Sequence, residues 1–490
     1  MGITVPGLIL SILSGLLLWA AFPPVNFAAA AWFALAPLFI ALLRFAPTRF
    51  SYGLYYGLTF LLWFTGMIIG LPPDYKVLYA VPVLLSILAF LFTFWQKDLQ
   101  LKNNARFFTA ITASLFLSFE FIRRSSPIGL FGVLGMSQYR HPEVIQISSL
   151  LGSYSVSFSI VVANCTIALA LANWKNLDRV KLHLAVNSAI LISFFVINYH
   201  IWETPPPVIR TVKAAAVQFG YVPEAEKHPE FERWGGLGTD KTPLERTYTV
   251  LDILIPMTWQ AASGGAQLVV WPECILEVDP VKTPDVRARL SDLAVKTGIH
   301  LVVPYYVEFP KQKNQLYPES VNGAWIVAPD GRFAFHYLKQ HRVVSFGIEA
   351  GPVGDRSDVF DSGLGKIGLM ICYDSDYPDV PAKYAAGGAT YFIVPSHDLA
   401  GFLTRHHPAM LMLRGVELRR SMIKSDYVNG TLISDPRGVI LADPPDGLGM
   451  AVADVPLTSA KTLSPVLSTI LGICSMVFLP VFLFLARMRK

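Results

Sequence analysis

Lys366-Ile-Gly-Leu-Met-Ile-Cys-Tyr-Asp374 is a short apolar run that ends on a cysteine, with Pro378 just beyond. A run of this length and composition reads as a buried strand. The tight bend after it would lift the sulfur of Cys372 off the strand end. Two further runs have the same form. Gln267-Leu-Val-Val-Trp-Pro-Glu273 ends on a carboxylate, and Phe333-Ala-Phe-His-Tyr-Leu338 is followed by Lys339. Taken singly, each has an ordinary explanation: a buried structural cysteine, a solvated or helix-capping carboxylate, a surface lysine. A thiol, a carboxylate and an amine delivered together from strand ends are what nucleophilic acyl transfer needs. The carboxylate takes the thiol proton, the thiolate attacks a carbonyl, and the ammonium holds the oxyanion.

Around these runs the chain divides by composition. Hydrophobic residues make up 53% of the 490, charged residues only 15%, and the mean hydropathy is +0.46, which points to a membrane protein. Residues 1–204 contain seven long apolar runs, at about 5–22, 26–43, 53–72, 77–95, 106–122, 144–172 and 182–202. An eighth lies at 463–486, each near the length that crosses a bilayer. The first run lacks a basic leader and a small-residue cleavage site, so it reads as a span. Residues 208–456 have the composition of an ordinary globular domain, entered through Pro205-Pro206-Pro207.

Basic residues give an orientation. Arg44 and Arg49 follow the second span, Lys97, Lys102 and Arg106 the fourth, Lys175, Arg179 and Lys181 the sixth, and Arg487, Arg489 and Lys490 the eighth. The alternate loops hold only Lys76, Arg123, Arg124 and Arg140. By the positive-inside rule both termini are cytoplasmic, and residues 208–456 face the other side. The net charge of +5 therefore reflects topology, and no nucleic-acid signature accompanies it. The four cysteines argue little for disulfides: Cys165 and Cys474 lie in apolar runs, and a nucleophilic Cys372 must stay unpaired with Cys274. No motif argues for a metal or other cofactor.

Within 208–456, strand-like and helix-like runs alternate from Arg210–Gln218 to the turn at Asp435–Gly438, which implies α/β layers with mixed sheets. The order Glu273, Lys339, Cys372 and their contexts resemble the nitrilase superfamily. Flanking segments narrow the resemblance to the apolipoprotein N-acyltransferases: Leu18-Trp-Ala-Ala-Phe-Pro-Pro24 with Trp32 and Pro37, then Glu120-Phe-Ile-Arg123, Gly135-Met-Ser-Gln138 and Gln146–Gly152. Beyond the nucleophile, His407, Arg414, Glu417 and Arg420, then Asn429-Gly430, also match. The family's Cys-Tyr-Glu is here Cys372-Tyr373-Asp374. The glutamate after the lysine loop is displaced to Glu349, the family's Asn-Asp-Ala-Trp is Ser396-His397-Asp398-Leu399, and Lys424 stands where the family has Arg.

The resemblance implies an αββα nitrilase-like domain inserted between a polytopic helical membrane domain and a C-terminal transmembrane helix. It implies a monomeric enzyme of the bacterial inner membrane, with its catalytic domain on the periplasmic face. Glu273, Lys339 and Cys372 would be catalytic, with Glu349, Tyr373 and Asp374 in support. The donor would be a phospholipid, the intermediate a Cys372 thioester, and the acceptor the N-terminal amine of a diacylglyceryl-cysteine lipoprotein. The altered loops leave open another amine acceptor, or a membrane-tethered amidohydrolase that uses water. Segments 402–403 and 408–413 are apolar enough to contact the bilayer, the latter equally suited to core packing.

Overall fold

The computed structural model describes residues 2–69, 79–94, 96, 107–124, 131–220, 241–310, 319–343, 351–398 and 403–488. The chain forms two compact units, Met1–Pro205 with Thr462–Lys490, and Pro206–Lys461.

The first unit is helical. Its main helices are Val5–Ala21, Ala36–Arg44, Arg49–Ile68, Ala80–Phe94, Phe108–Arg123, Tyr154–Ala172, Lys181–Glu203 and Ser464–Met488. Two of the expected spans are interrupted. The run at 26–43 breaks into three pieces, Ala28–Ala30, Ala31–Ala34 and Ala36–Arg44. Asn164 makes the break tolerable: its Oδ1 accepts from Leu35 N (2.7 Å) and Ala36 N (2.9 Å), and its Nδ2 donates to Ala31 O (2.8 Å). The run at 144–172 breaks at Gly152, whose φ is +80°. A Cβ there would fall 2.4 Å from the Ser468 Cβ, so only glycine fits. By length and composition, Tyr154–Ala172 and Lys181–Glu203 can cross a membrane; Val5–Ala21, Ala28–Arg44 and Ala80–Phe94 are shorter apolar helices. Helix 181–203 exposes Leu182, Val186, Ile192, Phe195 and Val196 while it buries Asn187 and Asn198. That is the reverse of a helix facing water.

The second unit stacks two six-stranded sheets. One has the order β12 (Gly449–Leu457), β1 (Arg210–Gln218), β2 (Leu268–Val270), β3 (His300–Glu308), β4 (Ser320–Val327), β5 (Phe333–Leu338), the other β11 (Ile440–Ala442), β10 (Leu432–Ser434), β9 (Ser421–Asp426), β8 (Tyr391–Ser396), β7 (Lys366–Leu369), β6 (Phe360–Asp361). The strands that carry the site are β2, β4, β5, β7, β8 and β9. In each sheet two successive parallel pairings are flanked by antiparallel ones, β1–β2–β3 and β7–β8–β9. Strand β1 (Arg210–Gln218) is buried without a break from Ala214 to Gln218, as a strand covered on both faces is. Its Val212, Ala214 and Ala216 join Ile367, Leu369, Ile393 and Ile423 in the layer between the sheets. Its Ala215 and Val217 pack under helices Pro243–Ser263 and Pro284–Thr297. Helices Asp379–Ala386 and Leu403–Leu418 belong with the other sheet. This is the αββα layering expected of residues 208–456. Segment 408–413 belongs to that packing: Ala409, Leu411 and Met412 are buried, so it offers no apolar face to a bilayer.

Candidate active site

Three strand ends converge, two from one sheet and one from the other. After β2, Trp271 is fully buried and its indole Nε1 donates to Thr258 Oγ1 (3.0 Å). Pro272 then stops the strand and turns Glu273 inward. The Glu273 carboxylate is buried and accepts hydrogen bonds from three elements of the fold. Lys339 Nζ (2.8 Å) and Asn322 Nδ2 (2.7 Å) donate to Oε1, and His397 N (2.8 Å) donates to Oε2. Lys339 follows directly on β5, and its own N–H donates to Asn322 O (3.0 Å). Lys339 and Glu273 are a nearly solvent-free ion pair, with side chains 3% and 2% exposed.

Cys372 opens a 3₁₀ turn, Cys372–Asp376, after β7. Its φ is +45°, left-handed backbone that a residue with a Cβ rarely takes and that concentrates at functional sites. The turn is held by Asp374. Its Oδ1 accepts from Gln340 N (3.0 Å) and His341 N (2.6 Å), and its Oδ2 from Tyr337 OH (2.7 Å) and Ile371 N (3.1 Å). Asp374 thus ties the residues after Lys339 to the nucleophile turn. Burial, and next the Glu273 charge, push the Cys372 thiol well above its ordinary range, with Lys339 opposing and Asp398 and Asp376 adding to the rise. Burial and the Glu273 charge both favour the thiol over the thiolate before substrate arrives. Among the described residues, Cys165, Cys274, Cys372 and Cys474 form no disulfide.

The expected supporting residues separate. Tyr373 packs edge-on to Tyr377, whose hydroxyl donates to the Tyr373 oxygen (3.1 Å). Asp374 holds backbone, as above. Glu349 lies outside the described residues. Residues with no place in the expected site complete it. Asn322 braces both Glu273 and Lys339. On the other side of the sulfur, Asp398 Oδ1 lies 4.0 Å from Cys372 Sγ and 2.6 Å from His407 Nδ1, and Lys424 Nζ donates to Asp398 Oδ2 at 2.9 Å. Lys424 also pairs with Asp426. Sequence marks His407 only as part of a matching family segment, and Asp398 and Lys424 only as stations in altered ones; Asn322 carries no local signal at all.

Cys372, Asp398 and His407 place one ligand-type atom each within 4.8 Å of one another. The spacing is that of a metal cluster, but Asp398 is already shared between an imidazole and an ammonium, and a cation would compete with both.

A family model for carbon-nitrogen hydrolase matches residues 200–464, over half of the chain. The chain belongs to the carbon-nitrogen hydrolase family. A second model, the apolipoprotein N-acyltransferase N-terminal domain, matches residues 14–166. The chain is similar to the apolipoprotein N-acyltransferase of Geobacter metallireducens, 25% identical over 472 residues, covering 88% of this chain and 86% of that protein. It is also similar to a nitrilase of Pyrococcus abyssi, 26% identical over 247 residues, covering 45% of this chain and 88% of that one. Among solved structures, an amidase from Nesterenkonia sp. has 23% identity and a TM-score of 0.39, covering 51% of this chain and 92% of that chain. The two family matches, with likeness along most of the chain, place the protein among the apolipoprotein N-acyltransferases.

Proposed function

We propose that this protein moves a fatty acyl chain from a membrane phospholipid, through a thioester on Cys372, to the N-terminal amine of a diacylglyceryl-cysteine lipoprotein. The observation that carries the reading is the buried Glu273–Lys339 pair beside a cysteine held in a left-handed turn. In the first half, Glu273 takes the thiol proton and the thiolate attacks the ester carbonyl. Lys339 stabilises the oxyanion, the C–O bond breaks, and the leaving lysophospholipid oxygen takes the proton from Glu273. In the second half the amine attacks the thioester, and Cys372 returns to the thiol.

The membrane part follows from the substrates. Each acyl methylene is worth about 0.8 kcal/mol in the bilayer, so neither lipid leaves it readily. The proposal takes residues 1–204 as a multi-pass domain with seven spans and 463–486 as an eighth, with 208–456 as the extracytoplasmic catalytic domain of a monomer in a bacterial inner membrane. Its support is the loop charge asymmetry and the apolar-out, amide-in helix Lys181–Glu203, the pattern favoured when the solvent is hydrocarbon.

The test is direct. Full-chain protein in micelles with a chain-labelled phospholipid should form a hydroxylamine-sensitive adduct that Cys372→Ala lacks. The protein should also restore growth to a strain depleted of its own N-acyltransferase. No adduct would overturn acyl transfer, and an adduct discharged only to water would make the protein a hydrolase.

A further inference from the structure

The Asp398 side of the sulfur has no role in the chemistry just described, yet its charges are arranged with care. Asp398 is buried, and its environment can be worked out proton by proton. The Ser375 hydroxyl has one proton and donates it to Cys372 O at 2.6 Å. In its second contact, to His407 Nε2 at 3.0 Å, the hydroxyl oxygen must therefore accept, so Nε2 carries a proton. His407 Nδ1 lies 2.6 Å from the Asp398 carboxylate and carries a proton as well. His407 is an imidazolium. Burial works against that charge, and Asp398 more than offsets it, with Asp376 adding to the effect. Asp398 is correspondingly held below the ordinary carboxylate range: burial would raise it, but His407 and Lys424 prevail. The charged and titratable groups around it are His407 from helix 403–418, Lys424 and Asp426 from β9, and Cys372 and Asp376 from the nucleophile turn.

Among the described residues, Asp398 Oδ1 has two neighbours with hydrogens in the resting enzyme, His407 Nδ1 and, at 4.0 Å, the Cys372 thiol. Acylation replaces the thiol hydrogen with carbon. The sulfur-facing side of an ionised, buried oxygen then has lost its donor at the moment the thioester forms, and such an oxygen strongly demands another. An ammonium supplies one, and its nitrogen would then lie within reach of the thioester carbonyl.

We propose that the Asp398 carboxylate receives the acceptor amine of the second half-reaction, with His407 and Lys424 as positioning residues that keep it ionised. The inference rests on the acyl-transfer reading above. The acceptor arrives as an ammonium paired with Asp398, which stays ionised, and loses one proton to water. The freed nitrogen lone pair forms the C–N bond, and the C–S bond breaks on collapse of the oxyanion. The nitrogen's second proton passes to Glu273 and on to the sulfur. Asp398 is ionised before and after, so that one ammonium and one thioester give one amide, one thiol and one proton released to water.

The experiment separates the two halves on the full chain in micelles. The adduct is formed from a chain-labelled phospholipid, then chased with a synthetic diacylglyceryl-cysteine peptide bearing a free α-amine. Asp398→Asn should form adduct within about threefold of the native rate but discharge it to the peptide at least about a hundredfold more slowly, with Asp398→Glu restoring part of the loss. His407→Gln should shift the acidic limb of the discharge rate to higher pH, a change that a merely structural role would not produce. Discharge of Asp398→Asn at the native rate, or a folded Asp398→Asn that forms no adduct, overturns the proposal. If that variant does not fold, the unaltered enzyme decides. A peptide with hydroxyl in place of the amine should compete at least about tenfold more weakly, and equal competition overturns it. Absence of adduct in the native protein would sink the acyl-transfer reading itself, an outcome distinct from these.

Discussion

Asp374→Asn is the most informative single change, because the geometry fixes what it must cost. The native carboxylate only accepts, and it faces four donors, three of them backbone N–H groups that cannot turn: Gln340, His341 and Ile371. An amide of the same shape must point its NH₂ at one pair. The cheaper choice is the Oδ2 side, where the Tyr337 hydroxyl can rotate to accept but the Ile371 N–H is left facing another donor. A buried donor without a partner costs about 1–3 kcal/mol, and the remaining bonds lose their charge assistance at about 1 kcal/mol each. The sum is roughly 3–5 kcal/mol. At about 1.4 kcal/mol per tenfold, local opening should become about a hundredfold to a few thousandfold more frequent. Hydrogen exchange by mass spectrometry on the full chain in detergent reads this directly, in peptides spanning 337–343 and 367–377. Adduct formation should fall in parallel, because Lys339 sits one residue before the clamped segment. A change in protection of less than about tenfold in both peptides would refute the reasoning.

Other changes test other links. Glu273→Gln removes the base and sets an amide against the Lys339, Asn322 and His397 donors; thioester formation should drop about 10²- to 10⁴-fold, and near-native labelling would remove Glu273 from the mechanism. Burial first, against the opposing His407 charge, raises Asp376 from 3.8 to about 6. The folded state therefore binds that proton more tightly than the unfolded one. The associated stability is complete below pH about 4 and lost as pH climbs through about 6. Thermal unfolding across that window should fall less steeply for Asp376→Asn than for the native chain, and parallel curves would contradict the assignment. Asn164→Leu orphans two backbone N–H groups and should cost about 2–6 kcal/mol; an unchanged unfolding temperature in detergent would dispose of the bridging role.

The three strand-end residues were readable because each is announced locally, by an apolar run that stops on a reactive side chain. Lys339 needed the other two to rise above a surface lysine, and its buried partnership with Glu273 across 66 positions is visible only in the fold. Asn322 was invisible for a related reason. It sits mid-strand on β4, and nothing in Ser320–Val327 reveals that its amide meets a carboxylate from β2. Asp398, His407 and Lys424 come from a strand end, a helix and a neighbouring strand, so their charges meet only in three dimensions. In the helical unit, apolar runs located the helices but not their interruptions. Those depend on Asn164 and Ser468, distant residues that satisfy or crowd the break. The 408–413 segment was ambiguous because a core helix and a bilayer-facing one have the same composition.

Glu273 and Lys339 ride on one sheet and Cys372 on the other, so the reacting groups are mounted on opposite jaws of a vice. The apolar layer between them, with Val270, Leu369 and Ile393, acts as the shim that sets the gap. Thinning that shim, as Leu369→Ala would, should misalign the jaws while both remain folded, and turnover should fade at temperatures where the protein has yet to melt. Catalytic output in this molecule is therefore a gauge of how firmly two slabs are pressed together.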